Sequence, residues 1–339
     1  MAQYAQYGLE AAANIPENAI LANWLDPWPS PFHKAVEMSG YGGIGIDWPH
    51  FFNLFYTSIP MFIVFTILSL ILKKRVFPRL GVALGISKTN KKKQRKFANQ
   101  LWLFCFYTGN AMLGYIAQHD KKWFAVPLTF DNVREMFVGF PTDPEPIFVL
   151  YYSTSFAFYT SELVSLFIET KRSDFMEYVV HHIATIILFV MSWAGHDHPM
   201  GSYVIFLHDA SDIFLCLAKS LHYVNMEFAV NTCFAIFISG FVLFRFYCLP
   251  TVLIGCFYIS PVMRKAAVNF YVLAMLLFFV LQLLHVFWFY LILRIILRLF
   301  NGVKGDARSD SDNDAVDKAK KKEIKEKSEG KTPDPKKKQ

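Results

Sequence analysis

Long apolar runs alternate with short polar breaks along this chain. Runs long enough for a bilayer of about 30 Å fall at 51–72, 98–117, 147–169, 176–194, 201–223, 228–254 and 266–299. This pattern predicts an all-α polytopic membrane protein of seven transmembrane helices. The breaks carry the topology. KKRVFPRLGVALGISKTNKKKQRK, at 73–96, holds ten Lys/Arg and no acid, which by the positive-inside rule makes it cytosolic and the N-terminus lumenal. An odd number of spans then leaves the C-terminus cytosolic; Arg264 and Lys265, on the lumenal side, are the exception. Pro60 is expected to kink the first span. The last span is overlong and is expected to continue past the membrane, exposing Arg294 and Arg298. The predicted organisation is a lumenal segment at 1–50 with a Pro/Trp-rich knot at 24–34, a first helix at 51–72 and a basic cytosolic loop at 73–97. A six-helix unit follows at 98–300, then a disordered charged tail at 301–339.

Composition supports the membrane class. The 339 residues are 54% hydrophobic and 18% charged, against about 45–50% and about 25% in soluble domains. The net charge of +7 comes from basic clusters beside apolar spans. That placement suits topology and anionic lipid and excludes nucleic acid as a partner. Cys105, Cys216, Cys233, Cys248 and Cys256 lie in apolar stretches without a CxxC spacing and read as small buried hydrophobes. No secretory signal opens the chain, so the first span is expected to insert as an uncleaved anchor. The chain ends KKKQ, with Lys336 and Lys337 in the dilysine arrangement that coat machinery retrieves to the endoplasmic reticulum membrane. Ser309 and Ser311 each precede an acid by three residues, Asp312 and Asp314, which suits phosphorylation by an acidophilic kinase of the casein-kinase type.

The candidate chemistry sits between Lys171 and Val224. His181 and His182 lie within one apolar run; His208, Asp209, Ser211 and Asp212 lie within the next. Ionisable groups at mid-membrane cost several kcal/mol and mark functional sites by default. Successive helical residues point about 100° apart, so the two histidines face different ways. Asp209 and Asp212, three apart, share one face of their helix. The short turn GHDHPMG makes the two helices antiparallel neighbours, so an aspartate accepting an imidazole N–H is expected to fix its tautomer. His196 and His198, flanking Asp197 in that turn, read as a solvated loop rather than a metal site. Glu162 and Arg245 are lone intramembrane charges, open between structural ion pairing and substrate contact.

The residues Lys171-Arg172-Ser173-Asp174-Phe175, His181-His182, His208-Asp209-Ala210-Ser211-Asp212 and Ala218-Lys219 together resemble the signature motif of ceramide synthases among TLC-domain membrane proteins. The likeness extends over about residues 95–300. It implies six helices in a TLC-type barrel around an acyl tunnel, and transfer of a fatty acyl group from acyl-CoA to the amine of a sphingoid base. It implies His181, His182, Asp209 and Asp212 as catalytic residues. Arg245, Glu162, His208 and Ser211 are candidate substrate contacts. The thioester is already activated, so no metal or redox cofactor is expected. Histidine either serves as general base for direct attack or is itself acylated before the amine resolves the acyl-imidazole; the resemblance favours the second, with His181 as nucleophile. Chain-length preference is expected to be tuned by the lumenal loop Cys256–Lys265, and ceramide synthase tails carry the same kind of phosphorylation pattern as Ser309 and Ser311. The expected partners are the two substrates and membrane lipid, with homo- or hetero-dimerisation left open. Many animal members carry a homeobox-like domain after the first span; here only the basic loop 73–96 stands there. Membrane elongases and di-iron hydroxylases need clusters such as HxxHH, but residues 178 and 179 are Tyr and Val. The non-enzymatic alternative is a TLC-domain lipid-binding or translocation-associated protein.

Overall fold

A computed structural model describes residues 48–138, 143–168, 174–259 and 268–300. Among them no residue is in a strand. Helix α1 spans Trp48–Ile71 and passes through a π-helical turn, Leu72–Val76, into α2, Phe77–Ala83. Gly85, at φ 102°, reverses the chain, a conformation that favours glycine. Asn90 then caps α3, Lys91–Gln118, by accepting from the Lys93 backbone N–H at 2.9 Å. Short α4, Phe130–Glu135, opens on a Thr129/Asn132 capping box. Four long helical rods follow among the described residues: α5, Pro146–Ile168; α6, Phe175–Ala194; α7, His198–Tyr223; and α8, Glu227–Val242, extended through a π-helical Leu243–Cys248 into α9, Leu249–Ile259. The last is α10, Val268–Phe300.

Seven long helical rods thus stand where seven apolar runs were expected. Four of them, at His50–Ala83, Phe175–Ala194, Glu227–Cys256 and Val272–Leu297, are long and apolar enough to cross a membrane. The other three, α3, α5 and α7, are at least about 34 Å long by helical rise. Their lower hydropathy has a structural cause: they carry the buried polar groups Asn110, Gln118, Ser153, Ser155, Ser202, Asp209 and Ser211. Helix α7 packs on α3, α5, α6 and α8, so its polar face meets protein rather than lipid. Two glycines allow close approach there: a Cβ at Gly201 would overlap the Tyr152 hydroxyl, and one at Gly114 would stand 2.6 Å from that of Tyr151. Helix α1 packs on α5 and α6. The six long rods from α3 onward all contribute to one cavity wall, consistent with a ring of six helices and a seventh outside it.

Two expectations are corrected. The basic loop is largely helical: α1 runs on to Ala83 through α2, and α3 begins at Lys91. Lys and Arg are good helix formers, so their charge marks the membrane boundary without ending the helix. The turn at 195–201 is not solvated. His196, Asp197 and His198 are 6%, 8% and 5% exposed, because His196 stacks on His50 (4.4 Å between centroids), which stacks in turn on Trp193 at 4.6 Å. The N-terminal knot, the tail with Ser309, Ser311 and KKKQ, and all of the Cys256–Lys265 loop after Ile259 lie outside the described residues.

Candidate active site

Helices α6 and α7 bring the motif histidines together. The His181 ring lies 5.7 Å from that of His182 and 6.3 Å from that of His208. Helix α10 adds two groups that the sequence did not single out: His285, with its ring 5.2 Å from His208, and Trp288, 5.2 Å from His181. The Nδ1 of His208 donates to the Val204 carbonyl at 2.7 Å. That leaves Nε2 of neutral His208 as an acceptor, 3.3 Å from Nε2 of His285, which therefore carries the shared proton. A backbone carbonyl, not an aspartate, fixes this tautomer.

The two aspartates serve different partners. Asp209 is fully buried and accepts from Asn110 Nδ2 and Tyr159 Oη, each at 2.5 Å. Asn110 in turn reaches Ser155 Oγ at 2.8 Å. Asp212 accepts from Arg245 at 2.8 Å, and the same guanidinium nitrogen lies 3.1 Å from Ser211 Oγ and 3.5 Å from the His208 carbonyl. Arg245 owes this reach to the π-helical turn. Widening the helix there weakens the backbone ladder, and Gln282 of α10 donates to the Arg245 carbonyl at 3.1 Å, as π-turns at membrane depth require. Structure thus places Arg245, His208 and Ser211 in one cluster. Glu162 stands elsewhere: it accepts from Trp102 Nε1 at 3.2 Å and lies 3.6 Å from Lys73, tying the π-turn after α1 to α5.

Tyr159, His181 and His208 sit where two cavities meet. The wide arm, about 370 Å³, also takes in His182, Asp212, Arg245, His285 and Trp288, and reaches Lys219, His222 and Asn225 at the α7–α8 turn. Lys93 at the start of α3 reaches the same turn, 3.5 Å from Asn225 Oδ1. The narrow arm, about 60 Å³, runs the other way between α6, α7 and α10, past Leu188, Val204 and Phe278, to Asp197. Burial pushes the Asp197 carboxyl up to about 8. Neither arm includes Asp209; its nearest cavity-lining partner is Tyr159.

The signals for the missed groups were thin. His285 is a lone imidazole in a 33-residue apolar helix, and its partner His208 is 77 residues away. Tyr159 is one of sixteen tyrosines. Only the rule that intramembrane ionisable groups need a reason pointed at His285.

Comparison with known proteins fixes the family. The family model of the TLC domain matches residues 96–294. The chain belongs to the TLC-domain family. It is 34% identical over 220 residues to ceramide synthase 3 of Mus musculus, covering 64% of this chain and 56% of that protein. ASC1-like protein 1 of Oryza sativa subsp. japonica is 30% identical over 301 residues, 79% of this chain and 94% of its own. Ceramide synthase LOH1 of Arabidopsis thaliana is 29% identical over 287 residues, 76% and 90% of the two chains. The chain thus spans little more than half the length of the mouse protein and nearly all of the plant ones. The TLC match includes every residue lining the two arms except Ile295, every imidazole among them included, and leaves out α1 and α2.

Proposed function

We propose that this protein is a ceramide synthase, transferring a fatty acyl group from acyl-CoA to the primary amine of a sphingoid base. One observation carries the reading: of the paired motif histidines His181 and His182, only His181 lines both arms of the cavity, beside His208. A thioester held with its acyl chain in the narrow arm and its CoA portion in the wide arm has its carbonyl at that junction. An unprotonated ring nitrogen of His181 attacks this carbonyl; the C–S bond breaks, the proton on the other ring nitrogen is passed to the departing sulfur so that CoA leaves as the thiol, and a neutral acyl-imidazole forms. The sphingoid ammonium, arriving by the wide arm, loses one proton to His182 and attacks in turn. The amide C–N bond forms, the second amine proton goes to the departing ring nitrogen, and His181 is released as neutral imidazole. The histidines, Asp209 and Asp212 act together here: Arg245 and Asp212 fix the charge beside His208, and Asp209 orients Tyr159. Arg245 and His208 border the substrate, and Ser211 sits behind them as a hydrogen-bond partner of Arg245; Glu162 belongs to the packing of α1 on the ring. The thioester supplies the activation, so the steps call for no metal or redox group.

Charge sets the orientation. The basic hairpin between α2 and α3 and the α7–α8 turn lie at one end of the bundle, joined through Lys93 and Asn225. We place that end on the cytosolic face of the endoplasmic reticulum, where Lys93 and Lys219 are suited to the phosphates of CoA. The membrane-exterior end of α1 is then lumenal.

Purified protein in detergent, given acyl-CoA and sphinganine, is expected to form dihydroceramide. With acyl-CoA alone it is expected to release CoA and gain one acyl mass. His181→Ala should lose both signals, with turnover down by roughly a thousandfold. Turnover by His181→Ala near that of the wild type would remove His181 from the mechanism. Failure of the wild type to make any ceramide would remove the assignment itself.

A further inference from the structure

The narrow arm ends on a carboxylate. Its walls are mostly apolar along α6, α7 and α10, with Met200, Val204, Ala274 and Phe278 among them and only Thr185 and Ser192 of α6 adding hydroxyls. From His181 to Ser192 along α6, and from His208 back to Asp197 along α7, the rise is about 16 Å on each side. The three residues of the terminal turn point differently. His196 stacks on His50, His198 packs edge-on against Phe148, and Asp197 lines the arm. The backbone of Asp197 is satisfied: its N–H donates to Ser192 O at 2.7 Å and its carbonyl accepts from Gly201 at 3.0 Å. Asp197 is 8% exposed, and no hydrogen bond to its carboxylate is present among the described residues. A mostly apolar slot that begins at the acyl-transfer histidine therefore runs to a buried acid with no donor to accept from.

We propose that Asp197 sets the upper length of acyl chain the protein accepts, by acting as a polar stop at the far end of the narrow arm. This rests on the acyltransferase reading above. A methyl end pressed against the acid strips what hydration it keeps and returns no hydrogen bond. Chains that end short of Asp197 gain from each methylene buried; chains that would reach it do not. The walls themselves can yield, because Met191 and Met200 are flexible thioethers that repack at little cost, so the acid rather than the resting volume of the arm defines the limit. The ligand chemistry that satisfies this end is a hydrogen-bond donor, such as a hydroxyl on the terminal carbon of the chain.

The test uses full-length protein and a homologous series of saturated acyl-CoAs in two-carbon steps, with sphinganine as acceptor. Wild-type turnover is expected to rise with length and then fall sharply at a limit. Asp197→Leu is expected to move that limit up by at least one step, raising turnover of the first rejected chain about tenfold, since two buried methylenes are worth about fourfold each. Asp197→Asn keeps a polar end and should leave the limit in place. A limit unchanged in Asp197→Leu overturns the proposal. Should that variant fail to fold, the wild type decides: at the first rejected length, a chain with a terminal hydroxyl should be used faster than its methyl-ended counterpart, and equal or slower use overturns the proposal. A wild type that acylates no sphingoid base with any chain would instead overturn the acyltransferase assignment.

Discussion

The two arms of the cavity share three residues and almost nothing else. Both are built on α6, α7 and α10, and both meet Tyr159, His181 and His208. The wide arm holds the ion pair, a polar α7–α8 end with Lys219, His222, Asn225, Glu227 and Asn231 in its wall, and more than five times the space. The narrow arm is mostly apolar up to Asp197, with the hydroxyl residues Thr185 and Ser192 in its wall. The contrast teaches how one helix pair can present a polar substrate portion and a fatty chain to the same imidazole. Polar residues of α7 from His208 onward face one arm, and the apolar residues before it face the other. A single helix changes character at the motif.

The strongest way to break the wide arm is to split its ion pair. Arg245 is 5% exposed as a side chain and Asp212 is 26% exposed. Removing one partner strands the other, and a stranded buried charge costs about 3–5 kcal/mol. Because Arg245 is the more buried, Asp212→Asn should destabilise more than Arg245→Met, whose surviving carboxylate still touches the cavity. The double variant Asp212→Asn/Arg245→Met should be more stable than Asp212→Asn alone. Thermal unfolding of the four proteins in one detergent checks the order; equal losses in both single variants with no recovery in the double would show that the pair is not what holds this arm.

Most of the frame of this comparison could be read from the chain, and most of its wiring could not. Apolar runs at 147–169 and 176–194 became Pro146–Ile168 and Phe175–Ala194, because a membrane span must be a continuous helix of set length. The motif residues on α6 and α7 announced themselves as costly charges in apolar runs. What failed was pairing. Nothing local says that Asp209 meets Asn110, 99 residues away, or that a π-helical turn rotates Arg245 toward Asp212. Such turns are set by tertiary packing, here by Gln282, and have no composition of their own. The turn around Asp197 misled for the opposite reason. Gly, His, Asp and Pro compose surface loops, but a stack of His50, Trp193 and His196 buries this one.

Asp197 offers a smaller perturbation that sharpens the narrow arm. Its carboxyl titrates near 8 in the fold, against 3.8 when unperturbed, and burial is the cause. The folded protein therefore holds a proton there that the unfolded chain has released. Stability contributed by the protonated acid is fully present below about pH 4 and is lost as pH rises through about 8. Asp197→Asn removes this dependence. The variant should gain on the wild type between about pH 5 and about pH 8, by at least ~2 °C in Tm at the upper end. A constant difference between the two proteins across that range would mean that the acid is ionised throughout, and hydrated.

The mildest expected effect lies at the far end of the wide arm and separates binding from chemistry. Lys219 is half-buried in the last turns of α7, within the wall of the wide arm but about six helical turns from Asp197 at the narrow arm's end. Among the described residues it makes no hydrogen bond or ion pair to the imidazoles around His181. A partly solvated lysine facing a phosphate is a screened interaction worth about 1 kcal/mol or less. Such a contact is made equally in the ground state and the transition state, so its loss raises KM without changing kcat. Lys219→Ala is accordingly expected to raise KM for acyl-CoA about threefold to fivefold at low salt, leave kcat and KM for sphinganine unchanged, and lose most of its effect at about 1 M salt, where the Debye length falls to about 3 Å. A fall in kcat instead would place Lys219 in the chemistry at the junction, and the division of labour between the two arms would have to be redrawn around it.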